Sequence, residues 1–328
     1  MTTTANPLVS VLTPFYNEAP YLRQCIESVL AQTYPNFEYL LVDNASTDGS
    51  NRIAEEYAAR DSRVRLISRN QHVAISENLN HAAAAAAPAA KYIKYCFGDD
   101  WLYPECLAQM LLKLETNPQV GSVCAYTLIG DEVYPYGPRY DESVLSGREA
   151  ARRYLLSDRP MFGTVTASMF RAEVVRERTD FFNPLRIADD IEIELASFLS
   201  WNFAFVHQVL SFTRRERPSN STKMTRLVLL QAGPLICLHK YGATFLEPHE
   251  LRTRYRLIRS RYGRDLAAGM LRSGFSELLR VHRQELANSG VPFPTRNLLI
   301  GLIYVAGQAL RHPIRGYQAF RRERTQAT

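Results

Sequence analysis

Five aspartates have the type and spacing to bind a phosphorylated ligand and to move a proton. Asp99-Asp100 and Asp189-Asp190 are adjacent pairs far apart in the chain, and Asp43 stands alone after an apolar run. Carboxylates can hold Mg²⁺ or Mn²⁺ together with phosphate oxygens, because these ions prefer oxygen ligands. Two carboxylates beside a phosphate also raise the pKa of one of them toward the range of a general base. From the residues alone, Asp189-Asp190 fits this role and the role of a helix cap about equally well.

The polar clusters lie where predicted strands end. Four apolar runs, at 8–13, 39–42, 64–67 and 92–97, predict strands. A helical pattern lies between each consecutive pair of them. This alternation predicts an α/β fold with a mostly parallel sheet, in which ligands bind beyond the carboxyl ends of the strands. Polar residues follow three of these strands, at 14–18, 43–50 and 99–100. The preference of turns for polar residues explains any one of these clusters. Three clusters at one edge of the sheet favour a ligand-binding site.

Beyond residue 100 the predicted elements are more varied. Strands are predicted at 122–129, 164–170 and 203–212, and helices at 101–115, 147–156 and 189–199. A basic loop with Arg214, Arg215 and Arg217 follows the last strand. From about residue 225 only helices are predicted, at 224–240, 248–262, 263–288 and 297–310. We therefore expect one domain over 1–222, with a nucleotide-binding half at 1–100 and a second half at 101–222, and a helical region over 223–328.

The composition excludes several classes of protein. The apolar and charged fractions of 46% and 22% are those of a soluble globular protein. The five cysteines are scattered and odd in number, which argues against a disulfide framework or a zinc site. The first residues lack the apolar run of a signal peptide, and no run of about 18 apolar residues predicts a transmembrane helix. The expected location is therefore cytoplasmic.

The net charge of +6 is unevenly distributed along the chain. Residues 251–328 hold fifteen arginines, no lysine and four acids, which gives 15 − 4 = +11, whereas the remainder carries 24 − 29 = −5. This asymmetry predicts an anionic partner. The apolar stretch 298–306 either lies on an anionic membrane surface, with the basic residues of 296–324, or packs on the body with a solvated arginine face. No nucleic acid partner is expected, because the sequence carries no motif for one.

Three phrases in this order resemble family 2 glycosyltransferases of the GT-A fold. They are VSVLTPFYNE at 9–18, SVLAQTY at 28–34 and LVDNASTD at 41–48, and the resemblance covers roughly residues 7–220. It implies an inverting enzyme that uses a nucleotide-diphospho-sugar and a divalent cation, Mn²⁺ or Mg²⁺. A UDP-sugar is favoured, because Asp43 can accept a hydrogen bond from uracil N3–H and Tyr16 can stack on the ring.

The resemblance also implies that 101–222 is the acceptor half of the domain, and it implies roles for individual residues. Asp190, supported by Asp189, looks like the general base, and Asp99 with Asp100 looks like the metal site. The donor-binding residues implied are Pro14, Tyr16, Glu18, Asp43, Asn44, Asp99 and Arg217. The acceptor implied is a glycan or a lipid-linked sugar, in polysaccharide biosynthesis at the cytoplasmic face of the membrane.

The sequence departs from the family pattern at several positions. A second acid is often found where this chain has Asn44, and the first acid of the metal motif is replaced by Phe97. His72 stands in place of a glycine, and Glu77 in place of an arginine. Arg217 stands where many members carry a histidine that reaches the metal, and an arginine there can serve the diphosphate instead.

Two other functions remain open. A sugar nucleotidyltransferase uses a similar sheet, but it needs a glycine-rich basic loop after the first strand, and residues 14–18 contain no glycine. A dehydrogenase is disfavoured for the same reason. A non-catalytic nucleotide-sugar-binding protein would explain the missing acids, but the presence together of Asp43, Asp99, Asp100 and Asp190 argues against it.

Overall fold

A computed structural model describes residues 6–157, 160–183, 190–214, 229–273 and 275–311. These residues form two compact units, the first made of the described residues up to 183 with 190–214, and the second of those from 229 onward. The predicted domain boundary at 222/223 lies outside the described residues. The domain assignment therefore stays a prediction.

The first half of the first unit has the predicted alternation of strands and helices. Its strands are β1 (Val9–Phe15), β2 (Phe37–Asp43), β3 (Val64–Ser68) and β4 (Tyr92–Tyr95), separated by the helices α1 (Leu22–Leu30), α2 (Ser50–Arg60) and α3 (Ile75–Ala85). The four strands are parallel, in the order β3-β2-β1-β4. Every residue of β1 is buried, as expected for a parallel strand covered on both faces.

The second half extends the same sheet. Its elements are β5 (Trp101–Leu102), α4 (Cys106–Thr116), β6 (Val120–Ile129), β7 (Glu132–Tyr134), β8 (Val144–Leu145), α5 (Gly147–Leu156), β9 (Ser168–Arg171), α6 (Ala172–Arg176), α7 (Asp190–Ser197) and β10 (Asn202–Thr213). The order continues β4-β9-β6-β10-β5, and β9 is antiparallel to both β4 and β6. Because β9 runs antiparallel to both of its neighbours, β6 has the same direction as β4. The strands β6 and β10 therefore end at the same edge as β1, β2 and β4.

Several predicted boundaries in this unit are wrong, and pairing with distant strands is the reason. The strand predicted to stop before Pro14 continues to Phe15, because β4 ends opposite Leu12 and needs no hydrogen bond from Pro14. The helix predicted at 101–115 begins only at Cys106, since Trp101–Leu102 pairs with β10. The strand predicted at 164–170 begins at Ser168, after a single 3-10 turn.

The core of this unit forms on both faces of the sheet. Successive β1 residues point to opposite faces, so Val11 joins a cluster with Ile26 of α1, and Leu12 joins a second cluster with Leu79 of α3. All four side chains are at most 4% exposed. This two-sided packing holds the carboxyl ends of the strands in a fixed arrangement.

The second unit is helical in its described residues, as predicted. Its helices are α8 (Ala232–Phe245), α9 (Pro248–Ser273), α10 (Phe275–Asn288) and α11 (Thr295–Arg311). The predicted break at 262/263 is wrong, because α9 runs through Gly263. That glycine allows a close crossing with α11, since a Cβ there would collide with the backbone oxygen of Asn297. Among the described residues, no helix has both the length and the apolar character needed to span a bilayer.

Candidate active site

The loops after β1 and β2 are joined by side-chain hydrogen bonds to backbone. Asn17 has a φ of 54°, a left-handed conformation that asparagine tolerates. Its backbone N donates to Ser46 Oγ at 3.0 Å, and its side-chain Oδ1 accepts from Thr47 N at 2.8 Å. Asp48 Oδ2 accepts from Ala19 N at 3.0 Å. The predicted polar clusters at 14–18 and 43–50 therefore form one structure at the sheet edge.

Asp43 is held at the end of β2 with only 2% of its surface exposed. Its Oδ1 accepts a hydrogen bond from Ser46 N at 3.0 Å, and its Oδ2 accepts one from Asn51 Nδ2 at 3.1 Å. A carboxylate oxygen has two lone pairs, so each oxygen can accept one further hydrogen bond. The carboxylate is thus fixed in orientation while keeping the capacity to accept from a ligand N–H.

Asn44 makes two hydrogen bonds that together require an amide side chain. Asn44 Nδ2 donates to Val73 O at 3.0 Å, and Val73 N donates to Asn44 Oδ1 at 3.0 Å. A carboxylate could accept the second bond but could not donate the first. Asn44 is 4% exposed and fastens the segment before α3 to the end of β2.

Tyr16 presents an aromatic face beside this edge. Its side chain is 40% exposed, and its ring centroid lies 4.1 Å from that of His72. His72 Nδ1 lies 3.4 Å from the backbone oxygen of Asn44. Nothing in the local sequence indicates that His72 reaches Tyr16.

The turn after β4 carries the acid pair against the first loop. A Cβ at Gly98 would lie 2.8 Å from Phe15 Cβ and 3.1 Å from Glu18 Cγ, so only glycine allows this approach without a shift. Glu18 is 7% exposed, and its backbone N donates to Ser50 Oγ at 2.8 Å. Asp99 follows Gly98 directly, so the turn and the first loop are in contact where the predicted metal site begins.

The two acids of this turn have different surroundings. Asp99 is half-buried, whereas Asp100 is 3% exposed. Asp100 Oδ2 accepts from Thr166 Oγ1 at 2.6 Å, and its Oδ1 accepts from Arg214 N at 3.1 Å. Burial, and then the neighbouring charge of Asp99, raise the pKa of Asp100 to about 8. Thr166 belongs to no sequence motif, so no local signal predicts its hydrogen bond to Asp100.

Arg214 places a positive charge beside the acid pair. Its Nε donates to the backbone oxygen of Asp99 at 3.3 Å, and its Nη2 donates to Gln24 Oε1 at 3.2 Å. The guanidinium carbon lies 4.2 Å from the ring centroid of Tyr21. Arg214 therefore joins the end of β10 to the turn after β4. Arg215 and Arg217 lie outside the described residues.

Asp190 begins α7, and Asp189 lies outside the described residues. Asp190 is exposed to solvent, yet the protein atoms around it reduce its hydration enough to raise the pKa of its carboxyl. Glu194 lies one turn further on the same helix face and accepts a hydrogen bond from Ser122 Oγ at 2.7 Å. Burial raises the pKa of Glu194 to about 7. No local pattern marks Glu194 in the sequence, because its burial depends on the packing of α7 against β6.

The acid pair provides ligands of the type that a divalent cation requires. Within the described part of the chain, no three His, Cys, Asp or Glu side chains come together as a ligand set. Mg²⁺ is often held by only one or two carboxylates, with phosphate oxygens and water completing its shell. The half-buried Asp99 beside the buried Asp100 fits that arrangement, and the engaged oxygens of Asp100 explain how its orientation is held.

The sheet order and the polar edge define an α/β protein of the GT-A type, as solved structures show. Staphylococcus aureus TarS 1-349, in complex with UDP-GlcNAc, superposes with a TM-score of 0.55 at 13% identity, covering 86% of this chain and 89% of that one. The mannosyltransferase PcManGT from Pyrobaculum calidifontis, in complex with GDP-Man and Mn²⁺, gives a TM-score of 0.56 at 18% identity, covering 98% and 85%. These likenesses confirm the predicted fold.

The chain belongs to glycosyl transferase family 2, whose model matches residues 10–179. The EpsE protein of Bacillus subtilis is 38% identical over 141 residues, which are 43% of this chain and 50% of EpsE. The uncharacterized glycosyltransferase EpsJ of the same organism is 27% identical over 223 residues, 66% of this chain and 64% of EpsJ. The chain therefore matches less than two thirds of either relative. The family predicted from the sequence is confirmed.

Proposed function

We propose that this protein is an inverting glycosyltransferase that moves a sugar from a nucleotide-diphospho-sugar to an acceptor hydroxyl. The observation that carries the proposal is the connected edge of the sheet. Hydrogen bonds and packing join the loops after β1 and β2, the turn after β4 and the end of β10. The set contains a fixed carboxylate, an exposed aromatic ring, an acid pair and an arginine, which are the groups that such a donor needs. Structural neighbours in complex with UDP-GlcNAc and with GDP-Man support a donor of this class.

Asp43 and Tyr16 are the proposed base-recognition residues. The oriented carboxylate of Asp43 accepts a hydrogen bond from the N3–H of uracil, and the ring of Tyr16 stacks on the base. The ring of His72 lies beside that of Tyr16, with the two ring planes inclined at 40°. These features favour a UDP-sugar. Asn44 holds the segment before α3 on the end of β2, Pro14 is buried near the end of β1, and Glu18 contacts the turn that carries Asp99.

Asp99, Asp100 and Arg214 are the proposed diphosphate-binding residues. Arg214 is oriented by Tyr21 and Gln24, so its guanidinium keeps a fixed position close to the acid pair. A divalent cation held by Asp99 and Asp100 would supply positive charge as negative charge grows on the departing diphosphate. Arg217 is proposed as a second cation for the diphosphate.

Asp190, with Asp189 beside it, is the proposed general base. Its carboxylate takes the proton of the acceptor hydroxyl while the oxygen attacks the anomeric carbon from the face opposite the nucleotide. The bond from that carbon to the diphosphate breaks in the same displacement, so the configuration inverts. The reduced hydration of Asp190 raises its pKa, which strengthens it as a base. The proposed acceptor is a glycan or lipid-linked sugar, in polysaccharide biosynthesis at the cytoplasmic face of a membrane.

The test is a transfer and donor-hydrolysis assay with UDP- and GDP-sugars, with and without Mn²⁺. Asp190→Asn is expected to lower kcat by about 10²- to 10⁴-fold with little change in nucleotide affinity. Asp43→Asn is expected to weaken UDP binding, since an amide NH₂ turned toward N3–H cannot accept its hydrogen bond. Asp180→Asn, at an exposed aspartate of the same unit, is the matched control. Unchanged turnover in Asp190→Asn would overturn the base assignment, and UDP binding without turnover by the unaltered protein would indicate a non-catalytic binder.

A further inference from the structure

We infer that the outward face of α11 docks on an anionic lipid bilayer. One side of this helix faces its own unit: Leu298 is buried, and Gly301 lies against the backbone of Gly263 in α9. The outward face consists of five large apolar side chains that are between 51% and 83% exposed: Leu299, Ile300, Ile303, Tyr304 and Leu310. The helix is therefore apolar on two sides rather than one.

The five side chains share one arc of the helix. At 3.6 residues per turn, positions 299, 303 and 310 align along one line, and positions 300 and 304 align beside it. The charged residues of α11 are Arg296 in its first turn and Arg311 at its end. A helix whose outer side faces only water normally carries polar residues there. The apolar arc of α11 therefore has the character of an interaction surface.

The positive charge of this part of the chain favours an anionic membrane surface as the partner of the outward face. Residues 251–328 carry fifteen arginines against four acids, a net of 15 − 4 = +11. The guanidinium carbon of Arg264 lies 5.8 Å from the Tyr304 ring centroid, so a cation stands directly beside the outward face. A bilayer offers hydrocarbon to the apolar arc and anionic headgroups to the arginines. A second copy of this chain would instead bring like charges together.

The helix geometry agrees with binding in the plane of the interface. A helix of 17 residues is about 25 Å long, shorter than the length needed to cross the hydrocarbon core. Its outward apolar arc can enter the boundary between headgroups and acyl chains while Leu298 and Gly301 remain packed on α9. The residues involved differ from those of the proposed transfer reaction, so docking can be measured without donor or acceptor.

The experiment is sedimentation of the full chain with vesicles. Binding is expected to vesicles of phosphatidylcholine with phosphatidylglycerol, with little binding to phosphatidylcholine alone, and to weaken as salt screens the charge. The double variant Leu299→Glu/Ile303→Glu is expected to lower the partition coefficient at least about tenfold. The matched control is Leu112→Glu in α4, where the leucine is 57% exposed compared with 55% for Leu299. Arg296→Ala is expected to weaken binding about fivefold.

Three outcomes would overturn the inference. Equal binding to both kinds of vesicle would remove the role of the anionic headgroups. Equal binding by the double variant and the unaltered protein, with unchanged circular dichroism, would remove the role of α11. A dimer in sedimentation equilibrium that the double variant dissociates, without vesicle binding by the unaltered protein, would assign the outward face to a second copy of the chain.

Discussion

The buried carboxyl of Glu194 contributes to the pH dependence of the stability of the first unit, and Glu194→Gln should remove that contribution. Glu194 is 2% exposed, and its Oε1 has no hydrogen-bond partner among the described residues. Burial raises its pKa from 4.5 to about 7. Each pKa unit corresponds to about 1.4 kcal/mol, so the difference of about 2.5 units between the two states amounts to about 3 kcal/mol.

The direction of the pH effect depends on whether the folded or the unfolded state holds the Glu194 proton. Between pH 4.5 and about 7 the folded protein keeps the Glu194 proton while the unfolded chain has lost it. The free energy of unfolding therefore falls as the pH rises through this window and levels off above it. Glutamine is neutral throughout and can still accept the hydrogen bond from Ser122. The stability of Glu194→Gln relative to the unaltered protein should thus improve by up to about 3 kcal/mol between pH 4.5 and pH 8.

The assay is urea unfolding at both pH values, followed by tryptophan fluorescence. Both tryptophans, Trp101 and Trp201, lie in the first unit, so the signal reports on the unit that contains Glu194. Glu173→Gln, at an exposed glutamate of α6, is the matched control and should show the same difference from the unaltered protein at both pH values. The reasoning is refuted if Glu194→Gln also shows a pH-independent difference.

Three further substitutions test the contacts that shape the two units. Asn44→Asp should lower the stability by about 1–3 kcal/mol, measured by urea unfolding, because the half-buried Val73 oxygen loses its donor, whereas Asn44→Gln should lose both bonds. Gly263→Ala should lower the melting temperature of the second unit, because the added methyl group meets the backbone oxygen of Asn297; an unchanged value would contradict the close crossing. Tyr16→Ala should weaken UDP binding in calorimetry by about tenfold with the fold intact, and Tyr16→Phe should bind as the unaltered protein does.

Much of the first half could be predicted, because its elements are determined locally. The strands β1 to β4 are short apolar runs, and the helices between them carry an apolar stripe, as Ile26 and Val29 of α1 illustrate. Parallel strands must end at one edge of a sheet, so the clustering of the loop at Asp43 with the turn at Asp99 follows from the order of elements alone.

The errors have a common physical cause. Trp101 and Leu102 form a strand only because β10 lies beside them, and no periodicity in their neighbourhood indicates it. The predicted break at 262/263 is absent, and the missing side chain of Gly263 allows a close helix crossing instead. In both cases the decisive partner is more than 30 residues away along the chain.

The sequence by itself determined the class of fold and the family, and it selected the carboxylates that we propose for the donor site, because these depend on local periodicity and on motifs with fixed spacing. Only the tertiary structure decided what each polar group does within that frame. In the folded protein Asn44 both donates to and accepts from Val73, and Thr166 donates to Asp100. The apolar arc of α11 faces outward. The reason is that hydrogen-bond partnership and burial arise from chain segments brought together by folding, and a linear pattern carries no information about those distances.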